Sequence, residues 1–345
     1  MSRALLAMAA MLVVVGSRSV LAQGPDEYVS VVDEYRTGDP NTAIRTLARW
    51  AERSVEDSIR QWAKRLRPGQ IVAAVMLHTE LGAAILGSLP SRTSLQFGHA
   101  RTLLDALTER RDEREHADAV LLHWFRFVIS LYAADGRLVD AEIYARDALG
   151  RFPRDPILIF QKGAILETAR STNSPSAALA LQRGRPPASA TRQEQTLESA
   201  AAEFRRALAI DPRLAVARLH LGWVHVQLQD DRAREDLIAA LADARNDRER
   251  YLAHLFLGGL AERQSRFDEA AQEYESTRQL CPACQTPYIA SSRIEMARGR
   301  SEQARELARR FAALENVEDD PWWTYRFGTP DDDALTWLRA EAHRP

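Results

Sequence analysis

Cys281 and Cys284 are the two cysteines of the chain, set as Cys281-Pro282-Ala283-Cys284. Thiols at this spacing can close a local disulfide, work as a redox dithiol, or supply half of a four-cysteine zinc site. The second pair that a zinc site needs is not in the sequence. Redox pairs of this spacing open a helix behind a β-strand, and no strand-like alternation precedes Cys281. Gln285 stands where haem attachment would require histidine. A local disulfide is the expectation, with free thiols and a redox or metal role as the alternatives.

Other groups capable of chemistry are scattered. The eight histidines are dispersed. His220 and His225 are five apart, about 140° around a helix, and so diverge. No nucleophile elbow, phosphate loop, dinucleotide fingerprint or zinc-protease helix motif occurs, so neither catalysis nor a cofactor or metal is expected. Asp331-Asp332-Asp333 lacks the glycine and closing glutamate of a calcium loop and suits the first turn of a helix. Glu318 to Asp320 leaves a cation site as a lesser alternative. Between Asp319 and Gly328 lie Trp322, Trp323, Tyr325 and Phe327. Four aromatics so close suit a cap over buried apolar surface, or else a platform for a sugar or small molecule.

The elements that must carry these residues are helices. Of 345 residues, 46% are hydrophobic and 27% charged, which is globular composition. Ala, Leu and Arg recur throughout, and aromatics are 7%. The formal net charge is −2, and the arginines alternate with acids, as in Arg245 to Arg250. Such runs are solvated helix faces, and nucleic acid is not an expected partner.

Residues 1–22 read as a secretory signal. Arg3 precedes an apolar run of twelve, Ala4 to Val15. Gly16-Ser17 breaks the run, and Ala22 stands before a cut at Gln23. Twelve residues make a helix of about 18 Å, too short for a hydrocarbon core of about 30 Å. The expectation is an exported, periplasmic or secreted protein with no membrane insertion after cleavage.

Three stretches align on their prolines: Leu138 to Pro153, Leu197 to Pro212 and Phe267 to Pro282. Twelve before the proline sit Ala141, Ala200 and Ala270. Eight before sit Ala145, Phe204 and Tyr274, and five before Ala148, Ala207 and Thr277. Ten after come Gly163, Gly222 and Ser292. Asp155-Pro156 and Asp211-Pro212 read as helix starts, a capping acid before a first-turn proline. Tyr251 to Cys284 is the most complete unit, with Gly258 and Ala270 where two helices cross closely and Tyr274 filling the gap toward the next unit.

This pattern resembles the tetratricopeptide repeat, a helix-turn-helix unit of 34 residues. The resemblance implies an all-α superhelix, a solenoid of stacked antiparallel hairpins with about 14–16 helices. It covers 117–315 and, more loosely, the divergent helical repeats of 23–116. A loop inserted at 171–192 breaks the period, and 316–345 is expected to be an aromatic-rich cap and helix. The resemblance further implies a non-enzymatic scaffold that binds a protein or peptide in a concave groove. Carried over by position, the groove residues are His123, Arg126, Phe160, Glu167, Trp223, Gln227, Glu262, Arg263 and Arg293. One position of the family's carboxylate clamp holds Arg126, Phe160, Leu219, Leu255 and Ile289, which does not support that specificity. A glycan or small-molecule binder built on Trp322, Trp323 and Tyr325, and an envelope thiol-redox factor built on Cys281 and Cys284, are the rival readings.

Overall fold

Glycines set where the helices approach. A Cβ built on Gly82, Gly163, Gly222 or Gly258 would come within 2.6 Å of Phe97, 2.6 Å of Phe204, 2.7 Å of Leu237 or 2.5 Å of Tyr274. Each pair joins two successive helices, so the small residue of one receives the large residue of the next. The computed structural model describes residues 25–50, 56–170, 190–314, 320–327 and 331–344. The apolar run 1–22 and residues 171–189 of the inserted loop lie outside the described residues, as do Glu318 and Asp319. Among the described residues there are seventeen α-helices, one 3-10 turn and no strand. The all-α expectation holds. The count exceeds the expected range, because short helices such as Glu56–Ala63 and Pro321–Phe327 carry too few residues to print a clear apolar period.

The chain divides into two compact units, residues 1–131 with 331–345, and residues 132–330. Unit 1 holds α1 (Pro25–Thr37), α2 (Pro40–Trp50), α3 (Glu56–Ala63), α4 (Pro68–Ile85), α5 (Pro90–Thr108) and most of α6 (Arg114–Ala134). Proline opens α1, α2, α4 and α5, at the first-turn position where its missing N–H costs nothing. Helix α4 is apolar nearly all round because α1, α2, α5 and a late helix, α17 (Asp332–Ala342), all pack on it. Its polar residues are paired. Trp124 Nε1 donates to Thr79 Oγ1 at 2.9 Å, and Arg339 Nε donates to Glu80 at 2.7 Å. Helix α6 is apolar enough by length and composition to cross a membrane, yet Val120, Trp124, Phe125, Val128 and Ile129 are buried within the fold.

The aromatic stretch and the final helix expected over 316–345 fall in different units. Helix α17 belongs with the amino-terminal helices, burying Ala334, Leu335, Leu338 and Ala342. Asp331 caps it, accepting from Ala334 N at 2.9 Å. Beyond it, His343 stacks on Tyr35 with ring centroids 5.6 Å apart, and the Arg36 guanidinium donates to the Arg344 carbonyl at 2.6 Å. The described aromatics of 320–327 lie in unit 2 instead.

Unit 2 holds the repeats: α7 (Leu138–Arg151), α8 (Pro156–Arg170), α9 (Ala190–Ile210), α10 (Ala215–Leu228), α11 (Ala233–Asp243), α12 (Asp247–Arg263), α13 (Phe267–Leu280), α14 (Gln285–Ala297), α15 (Ser301–Ala312) and α16 (Pro321–Phe327). From α7 to α15 each helix packs on its chain neighbours. Ala141, Ala200 and Ala270 are fully buried at the predicted crossings. Tyr274 meets the next unit as expected, its hydroxyl lying within hydrogen-bond reach of Arg293. Its ring lies on Gly258 of its own hairpin, and its hydroxyl donates to Glu262 at 2.8 Å.

Two kinds of turn recur. Hairpin tips end on a left-handed residue, Gly136, Gln229, Ser265 or Gly299, with φ of 77°, 56°, 57° and 76°. The next residue then donates five back: Arg137 to Tyr132, Asp230 to His225, Arg266 to Ala261 and Arg300 to Glu295, at 2.8–2.9 Å. This satisfies helix-terminal carbonyls that would otherwise be orphaned. Between hairpins, Phe152 to Asp155, Asp211 to Leu214 and Cys281 to Cys284 are each closed by a backbone bond of 3.2 Å, with proline second. Asp155 caps α8 as expected, accepting from Leu158 N at 2.9 Å. Asp211-Pro212 is not a helix start. Asp211 accepts from Arg213 N within the turn, and α10 begins at Ala215.

Candidate functional site

The first helices of three hairpins, α8, α10 and α12, lie side by side in unit 2. The face they share carries Phe160 and Glu167 from α8, His220 and Trp223 from α10, and Phe256 from α12. Three of these, Phe160, Glu167 and Trp223, are predicted groove residues. His220 Nδ1 lies 2.7 Å from Glu167 Oε2, and both side chains are nearly buried. Phe160 meets the His220 ring edge-on at 5.0 Å, and Trp223 stacks on Phe256 at 4.5 Å.

This face is occupied by the chain itself. Residues 320–325 lie on it, most of them in α16. The Tyr325 hydroxyl donates to Glu167 Oε1 at 2.6 Å, and its ring packs on His220 at 4.4 Å and edge-on to Phe256 at 4.9 Å. Trp322 stands edge-on to Trp223 and Phe256, both at 6.0 Å, and parallel to Tyr325. Burial and the neighbouring Glu167 carboxylate push the Tyr325 phenol well above its ordinary range, so it stays a donor. Trp323 is 43% exposed.

Asp320 anchors the segment. It is 3% exposed and accepts three bonds: from the Tyr251 hydroxyl at 2.8 Å, from Thr286 N at 2.8 Å and from Trp322 N at 2.9 Å. Thr286 lies in the first turn of α14, where unpaired N–H groups and the helix dipole favour a carboxylate. All three partners are protein donors, the environment of a hydrogen-bonded carboxylate rather than of a cation ligand. Among the described residues no group of three His, Cys, Asp or Glu could hold a metal.

The remaining predicted groove residues do not join this cluster. Glu262 and Arg293 form a bidentate pair at 2.5 and 2.6 Å. Burial alone would raise the Glu262 carboxyl, but bonds from Arg293 and Tyr274 hold it below its ordinary value. Arg263 is exposed and Gln227 half-buried. His123 and Arg126 belong to unit 1, where His123 stacks on Trp337 with ring centroids 4.0 Å apart. Positional carry-over missed His220, Tyr251, Phe256, Thr286 and Asp320. The signal available was Asp320 itself, the last of three consecutive acids and directly before a Pro-Trp-Trp run. His220 and His225 do diverge, each to its own acid, Glu167 and Asp236, both at 2.7 Å.

Cys281 and Cys284 are bonded to each other across the inter-hairpin turn before α14, with Cα atoms 5.3 Å apart. They occupy the places that Asp211 and Leu214 fill two hairpins earlier. Cys284 is 0% and Cys281 7% exposed, so neither sulfur is presented to a partner thiol. The bridge closes a very short loop, worth about 2 kcal/mol by the chain-entropy estimate. Replacing both cysteines with serine is expected to lower the stability of unit 2 by about that amount and leave its helices intact by circular dichroism. Thiol trapping should label the reduced pair far faster in denaturant than in the native protein.

No family model matches the chain, and no curated protein matches it. Among solved structures, MamA aligns over 56% of this chain and 92% of its own, at 16% identity with a TM-score of 0.40. TTC0263, described as a thermophilic TPR protein of Thermus thermophilus, aligns over 65% of this chain and 100% of its own, at 21% identity and 0.40. A monomeric mutant of IFIT1 with Gppp-AAAA aligns over 84% of this chain and 66% of its own, at 15% identity and 0.42. With scores under 0.5, these likenesses carry nothing about ligands or partners. The fold type rests on unit 2 itself, whose paired helices, buried small-residue crossings and recurring turns are of the tetratricopeptide kind.

Proposed function

We propose that the protein is a non-catalytic scaffold of the bacterial cell envelope that binds a protein or peptide on the first-helix face of unit 2. The observation that carries this reading is the seating of residues 320–325 there. A short helical segment is held by one buried carboxylate, one phenol and an edge-on aromatic cluster, which is how an amphipathic peptide is held in a helical groove. Export rests on the charge and length pattern of residues 1–22.

The test is selection of a random peptide display library on the full chain. Selected peptides are expected to lose binding about 30-fold or more on Trp223→Ala, the loss typical of a central aromatic anchor, and markedly on Glu167→Gln. Arg305→Ala, on the exposed side of α15, should leave them unchanged. Failure to select any consensus, or a consensus indifferent to both face variants, would overturn the reading.

A further inference from the structure

The segment on the first-helix face also specifies what else would fit there. Its contacts read as three requirements at fixed spacing. The first is a carboxylate for the α14 amino terminus and the Tyr251 hydroxyl, met by Asp320. The second is a flat aromatic two residues on, set edge-on to Trp223 and Phe256, met by Trp322. The third is a hydroxyl-bearing ring five residues on, packed against His220 and donating to Glu167, met by Tyr325. Trp323, between them, is 43% exposed.

These positions make chemical sense together. A carboxylate at a helix amino terminus is favoured over a neutral group. Glu167 is an acceptor whose second oxygen is taken by His220, so it discriminates for a donor and against a phenyl ring without one. Spacings of two and five place both rings on the same side of a short helix that begins just after the acid, which is the form α16 takes.

We infer that residues 320–325 are an exchangeable occupant, and that the partner of this face is a polypeptide segment with the same chemistry: an acidic residue, an aromatic at the second place after it and a tyrosine at the fifth. This rests on the proposed peptide-binding role of the face. The chain's own segment competes by being tethered, which makes its binding intramolecular and raises its effective concentration. An outside peptide therefore binds poorly until the tenant is weakened.

The experiment uses the eight-residue peptide of residues 320–327, Asp-Pro-Trp-Trp-Thr-Tyr-Arg-Phe, titrated into the full-length protein. Three hosts are compared: the natural chain, Tyr325→Phe, and Trp322→Ala with Tyr325→Ala. Both variants are expected to bind the peptide at least tenfold more tightly than the natural chain. Peptides with Asn for the leading Asp, or Phe for the Tyr, should each bind the double variant at least tenfold more weakly. Should the double variant lose its helical circular dichroism, Tyr325→Phe, which removes one hydroxyl, decides the question. No binding to a folded variant at millimolar peptide, or equal binding of all three peptides, would sink the inference. Library-selected peptides of another pattern that still depend on Trp223 would, in that event, leave the scaffold role standing.

Discussion

Gly258→Val is expected to destabilise unit 2 by about 3 kcal/mol, at the upper end of what overpacking costs. A Cβ at residue 258 would lie 2.5 Å from Tyr274 Cε1, 2.7 Å from Cδ1 and 3.0 Å from Cζ. The Tyr274 ring is 1% exposed, and its hydroxyl is fixed on Glu262, so it cannot swing aside cheaply. Ala270, beneath it, is fully buried. Intrinsic helix propensity works the other way by less than about 1 kcal/mol. Gly150, near the end of α7 with nothing within 4 Å, isolates that smaller effect: Gly150→Ala should stabilise by about 0.5–1 kcal/mol. Chemical denaturation of both variants checks the opposite signs. Adding Tyr274→Ala to Gly258→Val should cost less than the two single changes summed, because the second removes the atoms the first collides with.

Acidification should unfold unit 1 before unit 2. His78 and His99 lie buried in α4 and α5, their ring centroids 5.0 Å apart. Desolvation, and for His78 also the neighbouring His99, pulls their pKa values down to about 3 and about 4. His78 is held neutral between the Tyr28 hydroxyl at 3.0 Å and the Gln96 carbonyl at 2.6 Å. Neither ring nitrogen of His99 has a hydrogen-bond partner among the described residues. Because the folded values lie below the unfolded value near 6.5, the unfolded chain takes up protons first. The stability present above pH 6.5 therefore falls as the pH drops, and stops falling only below the folded values. From pH 7 to 5 the loss is about 2 kcal/mol for each histidine. His99→Leu should remove one of the two steps at little cost at pH 8, since it breaks no hydrogen bond. An unchanged pH dependence of unfolding in that variant would refute the assignment.

The sequence carried the hairpins because their crossings demand particular residues. Gly163, Gly222, Gly258, Ala200 and Ala270 are small for a steric reason that repeats, and repetition makes a weak signal readable. The left-handed tips were half legible. Gly136 and Gly299 are the expected residue there, but Gln229 and Ser265 adopt the same backbone with no compositional mark. Asp211-Pro212 misled because an acid before a proline suits an Asx turn as well as a helix start, and local chemistry alone does not choose. The first-helix face of unit 2 was legible in its floor and illegible in its occupant. Phe160, Glu167 and Trp223 follow from position within a repeat. Tyr325 meets Glu167 across 158 residues of chain, a pairing that no local period encodes.

The placement of α17 bears on how the molecule is made. The ribosome releases α4 early and α17 only after the whole of unit 2, so the amino-terminal helices wait for their last wall until translation is nearly done. Throughout that interval one side of a nearly all-apolar helix stays wet, the state in which nascent chains recruit holdases or clump. A stop codon or bulky fusion placed ahead of residue 332 would be felt not by the helices just synthesised but by those made first.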